Sequence, residues 1–102
     1  MKFYAVHFED DPTKQSVRSE HQQEHDQFLQ RCGERIVNAG VLHREGGATP
    51  VGGLWVVRGS SELDVRGLIE ADPFFVHGLR RTTRLWQFSP SPRAVQDSAR
   101  AT

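Results

Sequence analysis

Cysteine is nearly absent from the chain: Cys32 is the only one in 102 residues, so no disulfide can close within it. A disulfide-stapled secreted scaffold is thereby excluded, and a reducing compartment is the default. Long apolar runs are missing too, and nothing approaches the ~20 residues that cross a bilayer as a helix. Charge of one sign is also lacking, since 13 Lys and Arg balance 13 Asp and Glu for a formal net charge of zero. A nucleic-acid footprint needs a basic excess, so neither nucleic acid nor membrane is expected as a partner. Apolar residues make up 36% of the chain and the mean hydropathy is −0.58. That is a modest core for one domain, and a partner subunit is expected to complete the burial. The opening Met1-Lys2-Phe3-Tyr4 runs straight into a strand pattern rather than a secretory signal, so the expected location is cytoplasmic.

What the chain does contain reads as alternating strands and helices. Lys2–Phe8 is rich in aromatic and β-branched residues and predicts a strand, ended by the turn signal Glu9-Asp10-Asp11-Pro12. A helix is expected over Arg18–Cys32, with Ser16 or Ser19 as its cap and Gly33 just past its end. Arg35–Arg44 and Gly53–Arg58 read as strands around a Gly-Gly loop. Glu62–Ala71 reads as a second helix, with Leu63, Val65, Leu68 and Ile69 as its apolar positions. Asp72-Pro73 ends that helix, because the residue before a proline is pushed out of the α region. Phe74–Gly78 is then an apolar turn, and Leu79–Phe88 a last strand. Residues 1–89 are expected to form the domain, and 90–102 a tail that is flexible or borrowed by a partner.

The order β-α-β-β-α-β predicts a ferredoxin-like α+β fold, an antiparallel four-stranded sheet with both helices on one face. The opposite face is left uncovered, although the strands look apolar on both sides around Trp55. A homodimer pairing two sheets is the simplest way to cover it.

One helix face carries the strongest functional signal. His21, His25, Phe28, Leu29 and Cys32 follow the i, i+4, i+7, i+8, i+11 spacing of a single stripe. Phe and Leu bury readily, whereas imidazole belongs on such a stripe only where it is hydrogen-bonded or lines a cavity. His25 therefore reads either as a pocket residue or as a core histidine donating to a backbone carbonyl. For Asp72 the plain alternative is a turn residue that bonds its own neighbours. Cys32 reads as a small buried hydrophobe.

The segments KFYAVHFED, His25-Asp-Gln-Phe28-Leu29 with Ala39-Gly40, and Glu70-Ala-Asp72-Pro73-Phe74 with Gly78-Leu79 occur in an order and spacing that resembles the YciI-like (YCII-related) family. The resemblance spans roughly residues 2 to 88, with one departure: Val41 stands where the family often has proline after Ala-Gly. It implies a dimeric α+β barrel and a catalytic His–Asp pair, carried over by motif onto His25 and Asp72. Some relatives eliminate halide or act as lyases on hydroxylated aromatic rings.

On this basis the expected function is a small cofactor-independent enzyme on a small cyclic or aromatic compound. His25 would exchange protons near neutrality, with Asp72 orienting its ring. The chemistry would be of lyase, isomerase or dehalogenase type. His21 is expected at the pocket rim and His7 as a second polar group in the cavity. Phe74 joins them as a substrate-binding residue, although core or dimer packing is the more ordinary use of such a ring. No cofactor and no metal are expected: His21 to His25 reads His-Gln-Gln-Glu-His, not the zinc motif His-Glu-x-x-His, and no nucleotide fingerprint occurs. The alternatives are a non-catalytic small-molecule-binding or dimerisation module of the same fold, or a cofactor-free monooxygenase on the same barrel. An enzyme should place both His25 and Asp72 in one solvent-connected cavity, whereas a plain binder needs only the cavity and a structural module needs neither.

Overall fold

A computed structural model describes residues 1–91. The elements are β1 (Lys2–Asp10), α1 (Ser16–Cys32), β2 (Ile36–His43), β3 (Pro50–Gly59), α2 (Glu62–Glu70), the short α3 (Pro73–Val76) and β4 (Arg80–Phe88). The strands form one antiparallel sheet in the order β2-β3-β1-β4. This is the expected ferredoxin-like α+β arrangement. From residue 92 onward, the tail expected over 90–102 lies outside the described residues.

Alternation in β1 sets the two faces of the sheet. Tyr4, Val6 and Phe8 point toward the helices and are buried, while Phe3, Ala5 and His7 between them are only half-buried. The inner face meets Trp55 and Val57 of β3, Phe28 of α1, and Val65 and Ile69 of α2 in one core. Trp55 stands edge-on to Phe8 with ring centres 4.7 Å apart.

Several elements depart from the sequence reading in instructive ways. β1 runs two residues further than expected, to Asp10, so the acidic turn begins inside the sheet. Gln15 rather than a serine precedes α1, and it makes no side-chain cap; Ser19 instead bonds back to the Ser16 carbonyl. The apolar turn after Asp72 is a single helical turn, α3. Asp72 caps it by accepting from Phe74 N, and Pro73 supplies its first position. Leu63 is 79% exposed, because the inward stripe of α2 falls on Val65 and Ile69.

Gly52 is forced by close packing between strands. A Cβ there would collide with the carbonyl of Phe8 on β1, whereas one on Gly67 of α2 would meet nothing. Gly52→Ala is expected to lower the unfolding free energy by about 1–3 kcal/mol. Gly67→Ala should raise it by about 0.5–1 kcal/mol through helix propensity. Urea midpoints of the two variants, at unchanged slope, check both signs.

Candidate active site

Asp72 has no solvent exposure, yet it is a carboxylate. The extended backbone before Pro73 points it back at α1, where its Oδ1 lies 2.6 Å from His25 Nδ1. The same oxygen accepts from Phe74 N at 3.3 Å; an ionised carboxylate can only accept, which assigns the proton of a neutral His25 ring to Nδ1. His25 Nε2 makes no hydrogen bond among the described residues. The imidazole also lies flat on the Phe74 ring, 4.0 Å between centres and 9° between planes, which fixes its orientation from beneath.

Two guanidiniums adjoin this pair. Arg80, at the start of β4, has a side chain 2% exposed and donates from Nη1 to Asp10 Oδ1 at 3.0 Å. Arg18, from the first turns of α1, donates from Nη2 to Asp10 Oδ2 at 2.7 Å and to the Gly52 carbonyl at 3.2 Å. Asp10 thus spends one oxygen on each cation. Arg80 is held over the Phe8 ring at 4.2 Å, and its Nε comes within 3.8 Å of Asp72 Oδ2 without bonding it. Burial lowers the Arg80 guanidinium from its usual value, and the charges of Asp72 and Asp10 oppose that fall. It remains a cation, as arginine does in proteins. Gly53 makes room for it, since a Cβ there would crowd Nη1 at 3.2 Å.

A cavity of about 190 Å³ opens beside these groups. Arg18, Gln22, His25, Asp26 and Arg80 provide its polar wall, and Leu29, Ala39, Val41 and Trp55 its apolar one. The cavity reaches His25 but not Asp72, which stands buried behind the imidazole.

The expected site residues separate accordingly. His25 and Asp72 meet, but not within one cavity as expected, since His25 lines it and Asp72 does not. Phe74 is completely buried and backs the His25 ring instead of facing the cavity. His21 is not among the cavity residues; its ring stacks on His77 at 3.6 Å, and its Nδ1 lies 3.1 Å from Glu24 Oε1. His21, Glu24 and His77 offer donor atoms within 4.8 Å of one another. The two imidazole planes, however, are only 8° from parallel. Ring lone pairs lie in their planes, so one ring must turn before both can reach a common ion. His7 projects to the opposite face of the sheet, because it alternates with the inward Val6 and Phe8; it borders a separate cavity with Glu9, Leu42 and Arg81. Cys32 is partly buried, and burial pushes its thiol above the usual range, which opposes thiolate chemistry.

Asp10 and Arg18 are absent from the sequence reading of the site, where Asp10 is part of a turn. Arg80 reads, with Arg81 and Arg84, as a solvated strand edge, the ordinary alternative to one of the three binding a carboxylate or phenolate. One signal points to Asp10: it continues the two-residue register of Tyr4, Val6 and Phe8 onto the inner face, where a carboxylate requires a cation. Arg18 precedes His25 by seven residues, two helical turns, and so falls on the same face.

No family model matches the chain, and no curated protein matches it. Among solved structures it is similar to 5-chloro-2-hydroxyhydroquinone dehydrochlorinase from Burkholderia phenoliruptrix AC1100, in complex with 2,5-dihydroxybenzoquinone. The TM-score is 0.82 at 20% identity, covering 89% of this chain and 97% of that one. The likeness establishes the shared fold. Among the described residues, no helix is long and apolar enough to cross a membrane.

Removing Asp10 leaves two nearly buried guanidiniums facing each other without their shared counter-ion. Asp10→Ala is therefore expected to cost about 3–5 kcal/mol of stability. Arg81→Ala, at an exposed residue on the same strand as Arg80, should stay within about 0.5 kcal/mol. Chemical denaturation of both variants measures the contrast.

Proposed function

We infer that the protein is an enzyme that moves a proton on a small hydroxylated ring compound, with His25 as acid/base and Asp72 as the residue that positions it. The observation carrying this reading is the 2.6 Å bond from His25 Nδ1 to a fully buried carboxylate, at the wall of a cavity of ring size. An apolar cavity of about 150 Å³ takes up benzene, so 190 Å³ suits a substituted six-membered ring. With Nδ1–H committed to Asp72, Nε2 is left to take a proton from a ring hydroxyl or an acidified C–H. The freed electron pair then expels a leaving group, as halide for example, or moves onto a ring carbonyl in an isomerisation. The imidazolium formed is stabilised by Asp72. Burial suits Asp72 to this part, since an orienting carboxylate need not touch substrate.

The dehydrochlorinase of the same fold, with its dihydroxybenzoquinone ligand, supports this class of substrate. The shared fold agrees with the resemblance to the YciI-like family, and we further propose that the chain acts as a homodimer in the cytoplasm. The dimer reading draws on the outer sheet face, where Leu54 is 42%, Phe88 41% and Trp86 65% exposed. Ala5 lies in register between Trp86 and Val56, so these side chains form one apolar stripe across three strands. A second sheet laid on that stripe removes it from water.

Chloride release from chlorinated hydroquinones, and exchange of ring protons in deuterated water, test the activity. His25→Ala and Asp72→Asn should each lower kcat by about 10²–10⁴-fold. Undiminished turnover in folded His25→Ala would overturn the reading. In sedimentation equilibrium, the wild type should run at twice its 11.6 kDa chain mass and Trp86→Lys at the chain mass itself.

A further inference from the structure

We propose that the cavity beside His25 binds its ring compound as an anion, with the charged oxygen of a phenolate, enolate or carboxylate received by Arg18 and Arg80. This rests on the ring-compound reading above and adds the charge state of the ligand.

Both guanidiniums line the cavity while being almost withdrawn from water, their side chains 13% and 2% exposed. Each carries five N–H donors, and little of that capacity is used. Among the described residues, Arg18 donates only from Nη2 and Arg80 only from Nη1. Arg18 Nε is buried without a partner, while Arg80 Nε faces the equally unbonded Asp72 Oδ2 at 3.8 Å. Unmet donors on a buried cation are costly, and here two such cations line one cavity together with the apolar Leu29, Ala39, Val41 and Trp55.

Formal charge at this end of the molecule is balanced, and it is the unused hydrogen-bonding capacity that selects the ligand. Arg18 and Arg80 contribute two positive charges, and Asp10 and Asp72 two negative ones. Asp72, however, directs its hydrogen-bonded oxygen to His25 and Phe74, and its Oδ2 remains 3.8 Å from Arg80 Nε. Asp10 is the one carboxylate hydrogen-bonded to the guanidiniums, and Asp72 adds only its charge, at 3.8 Å from Arg80. An incoming oxyanion supplies the second acceptor. Guanidinium is weakly hydrated and planar, and it matches a carboxylate or a pair of ring oxygens edge-on.

Asp26 is the carboxylate that argues against an anion. It lines the same cavity, but it is exposed and held by the Gln22 amide at 2.9 Å. Water and salt screen it far more than they screen the two buried guanidiniums. An anion seated at the inner end meets the arginines first, with its ring lying along Leu29, Ala39 and Trp55.

Benzoate and benzamide have nearly the same size and shape and differ in charge, so they separate the two terms. Titration of each into the whole protein, followed by calorimetry and by the Trp55 indole resonance, should show benzoate binding at least ten-fold more tightly. That preference should shrink as salt is raised, and Arg18→Gln should remove most of it while Arg18→Lys keeps part. Equal binding of the two rings would overturn the anion assignment and leave the ring-compound reading standing. No binding of either ring would overturn both. If turnover proves insensitive to His25→Ala while the charge preference persists, the anion site survives and the catalytic reading fails.

Discussion

Withdrawing a carboxylate from water costs several kcal/mol unless its oxygens are paired, and Asp72 is withdrawn completely. Three parts of the chain converge on it, bonding Oδ1 and leaving Oδ2 with a nearby charge but no hydrogen bond. The Phe74 amide caps α3 onto Oδ1, His25 Nδ1–H of α1 reaches the same oxygen, and the Arg80 cation of β4 stands behind Oδ2. The position of α1 against α3 and the tautomer of His25 are therefore set by one group. If Asp72 were exposed, the histidine would be an ordinary polar residue on a helix.

Asp10 repeats the logic one layer further out. It lies on the inward register of β1, fully buried, and anchors Arg18 from α1 and Arg80 from β4. The result is a polar seam of alternating charge from Arg18 through Asp10, Arg80 and Asp72 to His25. It runs along one edge of a core otherwise built from Phe8, Phe28, Trp55 and their neighbours. Buried ion pairs contribute little net stability compared with apolar packing. What such a seam provides is a fixed geometry, which suits a site that must hold an imidazole in one orientation beside a ring-sized cavity.

Much of the architecture was legible from period and punctuation. The two-residue alternation of Lys2–Phe8, the helical stripe through His25 and Phe28, and the Asp-Pro break at Asp72 lead to the β-α-β-β-α-β order. Motif resemblance brought His25 and Asp72 to the fore, and they lie in contact. Long-range ion pairing was not legible. Asp10 and Arg80 are 70 positions apart and meet only because β1 and β4 are neighbours in the sheet. A strand charge next to Arg81 and Arg84 looks like a solvated edge until its partner strand is known. His7 lies away from the His25 cavity for a related reason: alternation fixes which residues share a face, but not which face the helices cover. Phe74 takes the more ordinary use of such a ring, core packing, with its face under His25, and His21 stacks on His77, the residue just past α3, instead of reaching the pocket rim.

The central claim is that Asp72 holds His25 as the Nδ1–H tautomer with Nε2 free for proton exchange. Nitrogen-15 spectra of the histidine rings in the intact protein read this directly. The account predicts a protonated Nδ1 and a bare Nε2 for His25 at a pH where the ring is neutral, with that pattern lost in Asp72→Asn and the other four histidines unchanged. A neutral His25 protonated on Nε2, or one indifferent to Asp72→Asn, would contradict it.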